Sequence, residues 1–337
     1  MRAVAYKTPQ PISAETSLID VELPMPEPRG HDLLVEIKAV SVNPVDVKVR
    51  AHSAPPAGEF KVLGWDAAGI VKAVGADVTL FKPGDEVFYS GVISRPGTNA
   101  EFHLVDERIV GTKPKSLDFA AAAALPLTSI TAYEALFDRL KVQDAVSGAG
   151  RSILIIGGAG GVGSIAIQIA RALTDLTVIA TASRPETQDW VKELGAHHVV
   201  DHSRPIAPQV AALGIGTPGF IFSTTNTDSH IGDIVEAIAP QGRFVLIDDP
   251  KTLDIMPFKR KAVSVHWELM FTRPLYGTPD MIEQHKLLNR ISELVDAGKI
   301  RTTLSEIVGP INAANLKTAH AMVESGRMKG KAVLAGF

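Results

Sequence analysis

Ile153-Leu154-Ile155-Ile156-Gly157-Gly158-Ala159-Gly160-Gly161-Val162-Gly163 decides the fold of this 337-residue chain. Four apolar residues predict a buried strand, a glycine-dense turn follows, and the amphipathic run Val162–Leu173 predicts a helix. Gly158, Gly160 and Gly163 fill a G-x-G-x-x-G pattern. The first permits a tight turn, the second lets the backbone approach a pyrophosphate, and the third lets helix and strand pack closely. Free amides and the dipole at the helix start suit a diphosphate. The glycines alone are a weak signal, but a strand before and a helix after them make Gly158 to Gly163, with Ala159, Gly161 and Val162 between, the expected dinucleotide loop.

Outward from the loop, strands alternate with helices. Strands are expected at Ser152–Ile156, Leu176–Ala182, His198–Val200, Phe220–Ser223, Arg243–Ile247 and Ala262–Trp267. Helices are expected at Val162–Leu173, Pro185–Leu194 and Ser229–Ala239. Such alternation predicts an α/β Rossmann unit with a doubly wound parallel sheet. Before it the chain is strand-like: Met1–Tyr6, His31–Val42, Gly69–Gly75 and Glu86–Tyr89, the last after a Lys82-Pro83-Gly84-Asp85 turn, predict a partly closed β-barrel. Phe119–Leu125 is alanine-rich, and Ser129–Leu140 has helical spacing. Two more helices, about Pro279–Ala297 and Asn312–Ser325, and a strand at Ala332–Leu334 close the chain. The length suits two domains of about 150 residues each. They are expected at 1–127, completed by 271–337, and at 128–270.

Composition removes several function classes. A net charge of −3 and scattered basic residues argue against a surface for nucleic acid. The densest basic group, Lys259-Arg260-Lys261, reads as a solvated turn. No apolar run reaches the roughly 18 residues needed to span a bilayer. The first residues lack a signal-peptide core, and a cytoplasmic address is expected. There is no cysteine, which excludes disulfides, thiol nucleophiles and zinc sites built on thiolate. His198 and His202 would stand about 13 Å apart on a strand rising about 3.3 Å per residue, so they are not read as a metal pair. No metal is expected.

The second strand of such a unit meets the adenosine ribose about 20 residues past the last loop glycine. Thr181-Ala182-Ser183-Arg184 stands there. A hydroxyl followed by a guanidinium favours the 2′-phosphate of NADPH, whereas an acid would favour NADH. Ser183 also fits a helix cap before Pro185, and the two roles are compatible. His202, after the third strand, either faces the same phosphate or serves the local structure.

The chain resembles the medium-chain dehydrogenase/reductase superfamily, particularly its quinone oxidoreductase branch and bacterial zinc-type alcohol dehydrogenase-like proteins. The resemblance runs nearly end to end. It is carried by Ser41-Val42-Asn43-Pro44-Val45-Asp46, Gly64-Trp65-Asp66-Ala67-Ala68-Gly69, Lys82-Pro83-Gly84-Asp85 and Leu125-Pro126-Leu127-Thr128-Ser129-Ile130-Thr131-Ala132. The Gly157–Gly163 loop, Gly195-Ala196 and Gly330-Lys331-Ala332-Val333-Leu334 complete it. It implies a GroES-like β-barrel-type catalytic domain beside the Rossmann sheet. Zinc-bearing relatives carry a cysteine near Asn43 and a histidine and glutamate at Trp65 and Asp66. Those thiolates are absent here, and a lone Asp46 or Asp66 makes no closed zinc site.

The resemblance places Asn43 and Asp46 near the nicotinamide and Thr128 on its ribose side, with Ser223 and Ile247 at strand ends along the cofactor. Asn43 is either a donor to the acceptor oxygen or a side chain bonding its own turn before Pro44. Asp46 either orients a donor and relays a proton or is structural. Trp65 is either an apolar wall for a flat quinone or core. Without zinc to help remove a hydroxyl proton, reduction of a quinone or an α,β-unsaturated carbonyl by NADPH is the expected reaction. Zinc-independent carbonyl reduction or alcohol oxidation is an alternative, as is a non-catalytic NADPH-binding sensor or interaction protein. The resemblance also implies a homodimer.

Overall fold

The computed structural model describes residues Met1–Phe337. The chain divides into two compact units, Met1–Ile130 with Phe271–Phe337, and Thr131–Met270.

The Thr131–Met270 unit is built on a six-stranded parallel sheet. Its strands run in the order His198–Val200, Thr177–Thr181, Gly150–Ile156, Pro218–Ser223, Arg243–Leu246, Ser264–Trp267. Numbered along the chain this is 3-2-1-4-5-6, the doubly wound order that opens a crevice where the winding reverses. The reversal lies between Gly150–Ile156 and Pro218–Ser223, and the glycine loop starts at that point. Because helices cover both faces, the central strands read as unbroken apolar runs rather than alternating ones. Leu154, Ile156, Ile179, Ile221, Phe244 and Leu246 form one cluster with Ile206, Ile234 and Phe258 from the covering segments. The helix Gly161–Leu173 buries Ile165, Ala166, Ile167, Ile169 and Ala170.

The other unit carries a seven-stranded sheet in the order Leu304–Gly309, Lys331–Ala335, Asp32–Ser41, Ala67–Val74, Glu86–Tyr89, Val110–Thr112, with Phe102–Asp106 also paired to Asp32–Ser41. The terminal strand lies antiparallel on Asp32–Ser41, with Val333 opposite Ser41, so the chain end is woven into the first unit. A small sheet of Ile19–Glu22, Arg2–Tyr6 and Lys61–Val62 completes it.

Three elements depart from the sequence reading. The helix expected from Ser129 begins at Pro126, and its second half, Glu134–Arg139, is a π-helix. Its apolar run extends from Phe119 to Arg139, long enough by composition to cross a bilayer, yet 83% of its most apolar window is buried within the protein. A core helix reads the same way as a membrane helix when both faces are covered. The helix Pro44–His52 was not anticipated, because its residues show no apolar stripe. Lys259-Arg260-Lys261, read as a solvated turn, ends the 3-10 helix Met256–Lys261, and Lys261 Nζ donates to the carbonyls of Val235, Glu236 and Ile238 at 2.7–2.8 Å. It thereby satisfies the C-terminal carbonyls of the helix Thr227–Ala237.

Candidate functional site

The loop glycines of the Rossmann unit have separable reasons. Gly157 sits at φ +78°, where a Cβ would also meet Thr224 Oγ1 at 2.4 Å. At Gly163 a Cβ would meet Gly157 O at 2.3 Å and Gly158 Cα at 2.7 Å, so this glycine is what lets helix and loop touch. Gly160 is different. Its φ is −69°, and a Cβ there would meet only Gly157 O at 3.5 Å. Nothing within the protein demands glycine at 160, and the bare backbone there leaves room for an approaching group. Gly160 is also the N-cap of Gly161–Leu173 and has no side chain to cap with, which leaves the first-turn amides of Gly161, Val162 and Gly163 for an anion. Ala159 and Gly158 are buried beneath them.

Ser183 and Arg184 lie half-buried after the strand Thr177–Thr181. The N-cap of the following helix is Arg184, whose N–H donates to Thr187 Oγ1 at 3.2 Å, so the capping role considered for Ser183 is filled by its neighbour. Arg184 Nε is 2.8 Å from Glu186. Thr181 Oγ1 accepts the Gly157 N–H at 3.0 Å and lies 3.0 Å from His202 Nδ1. Ser223 is fully buried, 2.8 Å from Thr227 Oγ1, so its hydroxyl anchors the next helix. Ile247, half-buried, directs its N–H to Ser223 O. Asp248 accepts from Thr227 N at 2.8 Å and so caps that helix.

In the other unit the sequence-picked polar residues converge with one that was not picked. Asn43 is 1% exposed; its Nδ2 donates to Asp66 Oδ2 at 2.9 Å, and its Oδ1 accepts from Lys331 Nζ. The second amide proton faces Ser41 O at 3.4 Å. The carboxamide thus finds its partners inside the protein, at Asp66, Lys331 and Ser41. Asp46 accepts the N–H groups of Asn43 at 2.7 Å and Gly64 at 2.9 Å, closing a capping box over the helix Pro44–His52. Burial pushes its carboxyl up to about 7 against those two donors and Lys331. Asp66 is pushed up by burial as well, opposed first by Lys331. Its Oδ1 accepts the Leu127 N–H at 2.9 Å. Lys331, buried in the last strand, donates to Val42 O at 2.9 Å and lies 3.3 Å from Asp66; burial lowers its pKa, while both aspartates raise it. Thr128 is buried with its hydroxyl turned back on Leu125 O at 3.1 Å. Trp65 is core: fully buried, edge-on to Phe271 at 6.3 Å, its N–H donating to Val92 O.

Residues 29–115 match the alcohol dehydrogenase GroES-like domain family, and residues 194–334 match the zinc-binding dehydrogenase family. A zinc-type alcohol dehydrogenase-like protein of Staphylococcus aureus is 40% identical over 99% of both chains. The chain belongs to the medium-chain dehydrogenase/reductase superfamily. A crystal structure from Rhizobium etli, named for the zinc-dependent alcohol dehydrogenases, superposes on this oxidoreductase with a TM-score of 0.99 at 70% identity, covering 100% of this chain and 98% of that one. The quinone oxidoreductase of Lama guanicoe is 34% identical over 71% of this chain and 70% of its own.

The oxidoreductase also buries a carboxyl pair that sequence reasoning missed. Glu268, 4% exposed, follows the edge strand Ser264–Trp267 and lies against the buried Glu134 of the π-helix. Two buried carboxyls side by side repel when both are ionised, which favours a proton on the pair. Burial, then Glu134, push Glu268 up to about 8, while Arg139, 2.7 Å away, opposes them. A carboxyl raised in the folded state binds more protons folded than unfolded between its ordinary 4.5 and about 8. Its contribution to stability is therefore complete below that window and is lost as pH rises through about 8, by up to about 1.4 kcal/mol per pH unit. Asp46 acts in the same direction. Glu268→Gln is expected to flatten this decline in denaturant titrations run across the window. An unchanged slope would show that the pair does not share a proton.

Proposed function

We propose that this protein is a reductase that takes hydride from NADPH and delivers it to a quinone or an α,β-unsaturated carbonyl, without zinc. The observation carrying this reading is Lys331. Its ammonium sits between Asn43 and Asp66, two of the positions at or beside which, by the resemblance, zinc-bearing members keep metal ligands. An ammonium 3.3 Å from Asp66 repels a dication, an indole does not ligate, and the Asn43 amide is already engaged. These residues do not fit a metal site.

NADPH, when bound, supplies the hydride, and the chain supplies orientation and charge. The bare backbone at Gly160 and the open helix start receive the diphosphate, and Ser183 with Arg184 suits a 2′-phosphate better than a bare hydroxyl. A conjugated acceptor needs no metal, because its developing enolate or hydroquinone anion is stabilised by hydrogen bonds and protonated afterwards. Asn43, Asp46 and Thr128 then act by positioning: they hold the starts of the helices Pro44–His52 and Pro126–Tyr133. The 34% identity to a quinone oxidoreductase supports the acceptor class. The edge strand Ser264–Trp267, with Trp267 58% exposed, supports a homodimer built on that edge.

Nucleotide oxidation is to be followed by nicotinamide absorbance against quinones, enones, aldehydes and ketones, with zinc quantified in the purified protein. Turnover with quinones or enones at sub-stoichiometric zinc is the expected result; turnover confined to aldehydes, or one tightly held zinc per chain, would replace the reading. Ser183→Asp with Arg184→Ala is expected to weaken NADPH about tenfold or more relative to NADH by binding titration. Equal losses for the two nucleotides would contradict the NADPH assignment.

A further inference from the structure

Beyond Ser183 and Arg184, two imidazoles stand at the same end of the Rossmann sheet. His202 follows the strand His198–Val200, and His230 lies in the second turn of the helix Thr227–Ala237. Their ring centroids are 6.2 Å apart at 63°. One hydroxyl, that of Thr181, links His202 Nδ1 to the first amide of the phosphate loop, each at 3.0 Å. The His202 ring is thereby tethered to the loop by one nitrogen, which leaves Nε2 for a ligand. Both rings are half-buried.

The charges around them are mostly engaged elsewhere. Asp201 beside His202 accepts from Ser203 N and Oγ. Of the acids around His230, Asp233 accepts from Ala207 N, Asp248 caps Thr227, and Asp228 is exposed. Arg184, paired with Glu186, adds positive charge toward His202. Burial first, then the neighbouring ring and Arg184, hold His202 below the usual histidine range; burial lowers His230 too, opposed by its three aspartates. Both shifts disfavour the protonated rings, and an anion between the rings acts in the opposite direction. Ring centroids 6.2 Å apart put the two imidazoles within reach of one shared anion.

We propose that His202 and His230 form an imidazole pair that binds the 2′-phosphate of NADPH in its protonated form, making the choice of NADPH over NADH depend on pH. This rests on the NADPH reading above and adds His230 as a specificity-determining residue. A phosphate dianion raises the proton affinity of both rings, so binding takes up protons, and affinity tightens by at most about tenfold per pH unit for each proton gained. NADH has no phosphate there and lacks this dependence.

The test is calorimetric titration of the full chain with NADPH and with NADH between about pH 6.5 and 8, where a phosphate monoester remains largely dianionic. Buffers of different ionisation heat count the protons. Wild type, His202→Gln and His230→Gln are compared through the ratio of the two affinities, so that a general loss of folding cancels. The expected result is a ratio favouring NADPH several-fold more at the acid end, with proton uptake, and a flattened ratio in each variant. A ratio independent of pH, or a slope that persists in His230→Gln, overturns the pair while leaving the NADPH reading with Ser183 and Arg184. NADH binding tighter than NADPH throughout overturns the NADPH reading itself.

Discussion

Lys331→Met is expected to destabilise the protein by about 3–5 kcal/mol, measured as a fall in the urea midpoint at unchanged slope. Lys331 is 3% exposed and is the cation that acts on two fully buried carboxyl groups, Asp46 and Asp66. Methionine fills the same volume, so the loss is electrostatic: in a low-dielectric interior Asp66 loses its counter-charge, and the Asn43 carbonyl oxygen loses its donor. The double replacement Lys331→Met with Asp66→Asn removes charge from both sides and is expected to recover part of the loss. A single replacement costing under about 1 kcal/mol would mean that water already reaches these groups, the regime of surface pairs.

Gly160→Ala is expected to leave the unfolding free energy nearly unchanged while weakening NADPH binding by about ten- to a hundredfold, or roughly 1.4–2.8 kcal/mol. The new methyl group meets only Gly157 O at 3.5 Å and fits the existing φ of −69°, so the fold tolerates it. What it obstructs is the approach of a diphosphate to the amides beyond. Gly163→Ala is the contrast: its Cβ meets backbone atoms at 2.3 and 2.7 Å, so loop and helix must separate, and stability and binding fall together. Isothermal titration with parallel unfolding curves distinguishes the two variants. Undiminished NADPH affinity in Gly160→Ala would remove the loop from the cofactor site.

The Rossmann unit was legible because its signals are local. A strand, a glycine loop and a helix within Gly150–Leu173 carry the hydrophobic period, the positive-φ turn and the open helix start in one continuous stretch. The helix Pro44–His52 was hidden because it is held by capping through Asn43 and Asp46 rather than by an apolar stripe. Asn43 itself was read two ways, as a ligand to the acceptor or as a turn residue. In the folded chain its side chain meets Asp66 and Lys331, partners that neither reading named.

By itself, then, the sequence determined the parallel sheet, the glycine loop at the helix start and the absence of thiolate ligands, since each follows from residue type and short-range spacing. Tertiary structure alone decided that Lys331 meets Asn43 across 288 residues and that Glu268 meets Glu134. A charge inside an apolar strand, Lys331 before Ala332-Val333-Leu334, signals that a partner must exist. Which partner it is depends on strand pairing between distant segments, and such pairing leaves no periodic mark on the chain.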